Sequence, residues 1–183
     1  MKIECTTQAE EIATIKPRTV TIDLSDADVK RLYAKAYGSG ITPGELLAGF
    51  IGDLIGGTYT HGSDERNLAR QYFERCCYGM GLDRSFLQWA LQEYRIGEIA
   101  ALLNAVDEAE SDLDYYSEYP EESDSDGVQV IKDAKTDAEK ELAAIHDEYK
   151  AAENAADRSY TDDINAVRRY LEEVQTVTER GNG

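Results

Sequence analysis

The roughly forty residues from Arg18 to Gly57, RTVTIDLSDADVKRLYAKAYGSGITPGELLAGFIGDLIGG, constrain the fold more than any other stretch. Alternation places Val20, Ile22 and Leu24 on one face and Thr19, Thr21 and Asp23 on the other, the period of a half-buried strand. Ser25 stops the strand and, with Asp28 three residues later, makes a capping box for a helix with Val29, Leu32, Tyr33 and Ala36 on its apolar side. Gly38 to Gly40 end that helix. Thr42, Pro43 and Glu45 open a second one, whose Leu46, Leu47, Phe50, Ile51, Leu54 and Ile55 are strongly apolar, and Gly56 and Gly57 close it. One strand with two small helices cannot bury both apolar faces alone, so a homodimer through residues 18–57 is expected to complete the core.

This order of strand, helix, glycine turn and capped helix resembles the ribbon-helix-helix family over about forty of the 183 residues. The resemblance implies that two chains pair their strands into a ribbon and interlock their helices. It also implies that outward strand residues enter the DNA major groove while amides at the start of the second helix hold a phosphate. The DNA-facing candidates are then Arg18, Thr19, Thr21 and Asp23, followed by Thr42 and Gly44. Asp23 departs from that pattern, because a carboxylate aimed at a groove is repelled by phosphates unless it accepts from cytosine N4.

Charge bounds the partners. Nineteen Lys and Arg stand against 37 Asp and Glu, a formal charge of −18 that repels nucleic acid and anionic membrane and favours a basic partner surface. The hydrophobic content of 42% is that of a globular chain. Cys5, Cys76 and Cys77 show neither a disulfide nor a metal spacing, which points to a reducing compartment. The first residues, MKIECTTQAEE, lack the apolar stretch of a signal peptide, and no segment has the length of a membrane span, so a cytoplasmic location is expected.

Five segments are expected along the chain. Residues 1–17 form an N-terminal arm or short helix before Pro17, and residues 18–57 the ribbon-helix-helix-like segment. Residues 58–106 are a helical middle region. There Ser63 starts a helix with Leu68, Tyr72, Phe73 and Cys76 on its apolar side, and a further helix from Asp83 or Ser85 runs past Gly97 to Val106. Between residues 61 and 103 five arginines nearly balance six carboxylates. Mixed with Tyr72, Tyr78, Trp89 and Tyr94, they fit either nucleic-acid contact or ion pairs along helices.

Residues 107–127 are the acidic, tyrosine-containing segment. From Asp107 to Asp126 there are ten Asp or Glu and no Lys or Arg. Such a run fits a solvated linker, or a surface of carboxylates and tyrosines that imitates nucleic acid and occupies a protein's basic groove. The protein-binding candidates are Asp107, Glu108, Glu110, Asp112, Asp114, Tyr115, Tyr116, Glu118, Tyr119, Glu121 and Glu122. Residues 122–133 have a passing likeness to a calcium loop, but Glu122, Gln129 and Asp133 stand at positions one, eight and twelve, where Asp, an apolar residue and Glu are usual, and no metal is assigned.

Residues 128–183 read as a long helical or coiled-coil region. Ala138, Leu142, Ile145, Tyr149, Ala152 and Ala156 follow a seam that Tyr160, Ile164, Val167, Leu171 and Val174 resume after a shift. One long helix or a hairpin broken near Ser159, with Thr161 as a cap, fits this pattern, and the seam packs within the chain or on a second copy. The fold class is therefore mainly α, with an N-terminal ribbon-helix-helix-like dimerisation segment.

No nucleophile beside a base, phosphate loop or metal-ligand spacing is found, so neither an enzyme nor a cofactor is expected. His61 reads as a surface loop residue and His146 as a helix-face residue. Two functions remain. One is an inhibitor or adaptor that docks on a basic, nucleic-acid-handling protein. In size and composition such a chain is similar to the anti-CRISPR proteins of phages and mobile elements, a resemblance that implies a Cas effector as one partner. The other is a ribbon-helix-helix DNA-binding transcriptional regulator, binding DNA alone or DNA and protein together. The charge of the whole chain favours the first narrowly.

Overall fold

The computed structural model describes residues 7–58, 60–76, 84–120 and 125–179. These form eight helices and no strand among the described residues: α1 (Gln8–Ala13), α2 (Asp26–Gly38), α3 (Pro43–Ile55), α4 (Ser63–Arg75), α5 (Phe86–Gln92), α6 (Ile96–Glu118), α7 (Ser125–Glu153) and α8 (Tyr160–Glu179). The chain divides into two compact units, an N-terminal one built on residues 5–80 with 177–183 and a bundle unit built on residues 81–176. The middle region 58–106 gives α4 to the first and α5 and the start of α6 to the second.

In the N-terminal unit the helix starts follow their caps. Thr7 with Glu10 and Thr42 with Glu45 form complete capping boxes, in which each Glu accepts the amide of its Thr. Ser25 also caps α2, accepting from the Asp28 amide at 3.2 Å, but Asp28 accepts the Ser25 hydroxyl instead of its amide. Its side chain is one methylene shorter than Glu. The helix expected from Ser63 begins there with Gly62 in the cap position and no side-chain cap.

The expected strand is not formed. Residues 15–25 have no regular structure, and the backbone of residues 19–24 makes no hydrogen bond within the described chain. A strand is a ladder between two segments, and the described chain supplies no second one. Val20, Ile22 and Leu24 accordingly stand 72%, 58% and 47% exposed.

The bundle unit is a helical assembly around Phe86 and Trp89 of α5, Ile99 and Leu103 of α6, Leu142, Ile145 and Tyr149 of α7, and Ile164 and Val167 of α8. Ion pairs Arg95–Glu148 and Lys135–Glu110 join opposite ends of α6 and α7, which fixes the two as antiparallel. The helix expected to run from Ser85 to Val106 is broken. Tyr94 adopts φ 58°, and the Arg95 amide donates to the Ala90 carbonyl at 2.8 Å, the left-handed end of a Schellman turn. The C-terminal region is likewise two helices. Asn154 takes φ 53°, the Ala155 amide donates to the Lys150 carbonyl, and Ser159, not Thr161, caps α8 by accepting from the Asp162 amide. On the predicted seam Ala138, Leu142, Ile145 and Tyr149 are buried, whereas Ala152 and Ala156 are exposed and Ala155 is buried in the inter-helix turn. Residues 125–133 lie in the first turns of α7, a conformation incompatible with the loop that a calcium site needs.

Candidate functional site

Two surfaces and two histidine–aspartate pairs, of which one is buried, carry the chemistry of this chain. The first surface belongs to the N-terminal unit. Among the described residues its buried apolar side chains are Ala36 and Ala69, and no large side chain is enclosed. Of the 21 exposed large apolar side chains among the described residues, fifteen lie between Ile12 and Phe73, including Tyr33, Leu47, Phe50, Ile51 and Tyr72. Fixing a residue costs about 1–2 kcal/mol of backbone entropy, so a unit that buries two alanines does not repay its own ordering.

The DNA-facing candidates are exposed, but several of their groups are engaged. Arg18 donates through Nη1 to the Val177 carbonyl at 3.2 Å and to the Thr178 carbonyl, and through Nη2 to the Thr14 carbonyl at 3.3 Å. Thr19, Thr21 and Asp23 point from an unpaired segment. At the start of α3 the Thr42 amide donates to Glu45 at 2.7 Å, which holds that carboxyl below the ordinary carboxylate range. The Thr42 amide is thus committed to a negative side chain, while Gly44 remains open, with only Thr42 Oγ1 within 4 Å of where a Cβ would stand.

The second surface is the C-terminal half of α6. The helix continues to Glu118 and carries Asp107, Glu108, Glu110, Asp112, Asp114, Tyr115, Tyr116 and Glu118 as ordered helical residues rather than as a linker, with Tyr119 at its end. Glu121 and Glu122 lie outside the described residues. Two of the carboxylates serve the fold: Asp107 takes both arms of Arg168, at 2.6 and 2.8 Å, and Glu110 accepts from Lys135 at 2.8 Å. Glu108, Asp112, Asp114 and Glu118 are exposed and make no ion pair among the described residues. Beside them the Tyr115 ring lies 5.5 Å from Tyr116 and 5.0 Å from Tyr119, a ring cluster at the acidic end.

The net charge is divided unevenly. Residues 1–80 hold nine basic and eleven acidic side chains, a net −2, and residues 81–183 hold ten and 26, a net −16. The field of the whole chain is therefore the field of the bundle half, and the ribbon-like segment sits in the nearly neutral half.

Both histidines are paired, which the sequence reading missed. His61 donates its amide to Asp53 Oδ1 at 2.8 Å, and its Nδ1 lies 2.8 Å from Oδ2. An ionised carboxylate only accepts, which puts the hydrogen on Nδ1. The imidazole lies against Gly49, where a Cβ would come within 2.8 Å of Cε1. Asp53 is the one charge on α3 after its first turn, a signal that a buried carboxylate has a partner. His146 is 2% exposed, far from a helix-face residue; its Nε2 lies 3.0 Å from Asp163 Oδ2 inside the bundle, with Phe86 and Tyr160 each edge-on at 5.2 Å.

No group of three or more metal-ligating side chains occurs among the described residues, and no helix among them is long and apolar enough to cross a membrane. No protein-family model, no curated protein and no solved structure matches the chain.

Proposed function

We propose that this chain is a non-enzymatic, cytoplasmic binding protein of a phage or mobile element. The N-terminal unit dimerises through its ribbon-helix-helix-like segment, and the acidic bundle unit docks on a basic, nucleic-acid-handling protein as an inhibitor or adaptor. The observation that carries this reading is the division of charge. A net −16 confined to residues 81–183, with four exposed carboxylates and a tyrosine cluster on one half of α6, suits a basic groove that ordinarily holds nucleic acid. In this respect the chain is anti-CRISPR-like, with a Cas effector as one partner of that chemistry.

A pull-down from host lysate tests it. The expected outcome is capture of a basic nucleic-acid-binding protein that weakens as salt rises. Capture is lost when Glu108→Gln, Asp112→Asn, Asp114→Asn and Glu118→Gln are combined, changes that spare the structural pairs of Asp107 and Glu110. Unchanged capture by the combined variant removes the acidic face from the interaction.

The net −2 of residues 1–80 favours a second reading, in which the ribbon also reads DNA as a transcriptional regulator. In that case the protein shifts DNA from its own promoter at low salt, and Thr19→Ala with Thr21→Ala abolishes the shift. Absence of any shift at low salt removes DNA from the account.

A further inference from the structure

We infer that the surface on which a second copy of this chain docks extends beyond the ribbon-helix-helix-like segment and includes α4, through Leu68 and Tyr72. The inference rests on the dimer reading above and adds an element to it.

Residues 19–24 have no regular structure and no backbone hydrogen-bond partner, they alternate exposed apolar side chains at Val20, Ile22 and Leu24, and what completes such a segment is another strand. An identical segment from a second copy, related by a twofold axis, supplies a strand with the same apolar alternation and completes both segments at once. Three aliphatic side chains on that ribbon fall far short of the roughly 800 Å² per partner that a stable interface buries, so the contact must continue onto the helices.

Continuity then brings in α4. Phe50 of α3 is 45% exposed and meets Tyr72 of α4 edge-on, with 6.0 Å between ring centroids. Tyr72 is itself 55% exposed, and Leu68, one turn earlier on α4, is 65% exposed. Any body that covers Phe50 therefore lies over Tyr72, and the Leu68–Tyr72 stripe widens the same apolar surface. A solvent-facing helix would carry polar residues at these two positions.

The test is the dissociation constant of the full chain, measured by sedimentation equilibrium for the wild type, for Leu68→Glu with Tyr72→Glu, for Val20→Glu with Ile22→Glu, and for the control Tyr94→Glu in the bundle unit. The wild type and the control are expected to be dimers. Both double variants are expected to weaken dimerisation about 100-fold or more, with far-UV helicity matching the wild type's at concentrations where the variant still pairs, because all four side chains are more than half exposed in the single chain. A dimer weakened by the ribbon variant but unchanged by the α4 variant overturns this inference and leaves the dimer reading standing. A dimer weakened by the α4 variant and indifferent to the ribbon variant supports the α4 contact and overturns the ribbon. A wild type that stays monomeric at about 100 μM overturns both. If the α4 variant loses helicity, the milder Leu68→Gln with Tyr72→Gln is read by the same criteria.

Discussion

Tyr94 sits where the chain elsewhere uses Gly or Asn. α2 ends on Gly40 at φ 76°, α3 on Gly56 at φ 63° and α7 on Asn154 at φ 53°, while α5 ends on Tyr94 at φ 58°. A left-handed backbone costs a residue with a Cβ about 1–2 kcal/mol, and the phenol, 86% exposed, recovers little of that by packing. Tyr94→Gly is therefore expected to stabilise the bundle by about 1 kcal/mol, read as a higher urea midpoint at unchanged slope; a lower midpoint would mean that the phenol makes a contact worth more than the backbone strain. The Asp53–His61 clasp makes a second prediction at this scale. The His61 amide and then its imidazole hold the Asp53 carboxyl below the ordinary carboxylate range, against the opposing effect of burial. A carboxyl with a depressed folded pKa stabilises the fold above its unfolded value, near 4, and that contribution is lost as pH falls through the folded value. Glu10 and Glu45, held low by the amides of Thr7 and Thr42, act in the same direction. The N-terminal unit should thus weaken as pH falls below about 4, and Asp53→Asn should flatten that dependence and speed hydrogen exchange at the His61 amide. An unaltered pH profile in Asp53→Asn would show that the clasp contributes nothing to folding.

At the scale of elements, the joint between α7 and α8 depends on a polar pair in an apolar setting. His146 and Asp163 satisfy each other among Phe86, Tyr149 and Tyr160, so removing one leaves the other buried without its partner. His146→Ala and Asp163→Ala are each expected to cost about 3 kcal/mol, whereas His146→Leu combined with Asp163→Leu should cost less than either single change. Additive losses in a urea-unfolding cycle would show that the two groups are not coupled. This pair also marks the limit of what periodicity reveals. The caps at Thr42 and Ser85, the glycine stops at Gly40 and Gly56 and the core positions Leu142, Ile145, Ile164 and Val167 follow from local chemistry and spacing, and they are readable from the residues alone. The break at Tyr94 is not, because tyrosine does not announce a left-handed turn as glycine does, and the break between α7 and α8 is legible only as one of two alternatives, near Ser159 rather than at Asn154. The partners of Asp53 and His146 lie eight and seventeen residues away and depend on tertiary placement. The missing strand at residues 18–24 has a different cause: its alternation is in the sequence, but a strand needs a second segment to pair with, and the described residues supply none.

For the whole molecule, the two units differ in what holds them together. The bundle unit encloses Phe86, Ile99, Tyr149 and Val167 almost completely and carries most of the net charge, so its stability is internal and opposed by self-repulsion. The N-terminal unit encloses no large side chain among the described residues, so on the dimer reading its stability depends on a second copy and hence on concentration. Trp89, the single tryptophan, lies in the bundle core and reports that unit alone, whereas far-UV circular dichroism reports both. Added salt should raise the Trp89 melting transition by screening the acidic half and leave it unmoved by dilution. The far-UV signal should contain a second component that falls by about 3–6 °C for each tenfold dilution, the displacement given by about 1.4 kcal/mol per decade of concentration acting on a paired unit of this size. If both components are indifferent to dilution across the range in which the dimer dissociates, the exposed apolar face of α2, α3 and α4 is not covered by a second copy. The stability of the N-terminal unit would then have to come from a different partner.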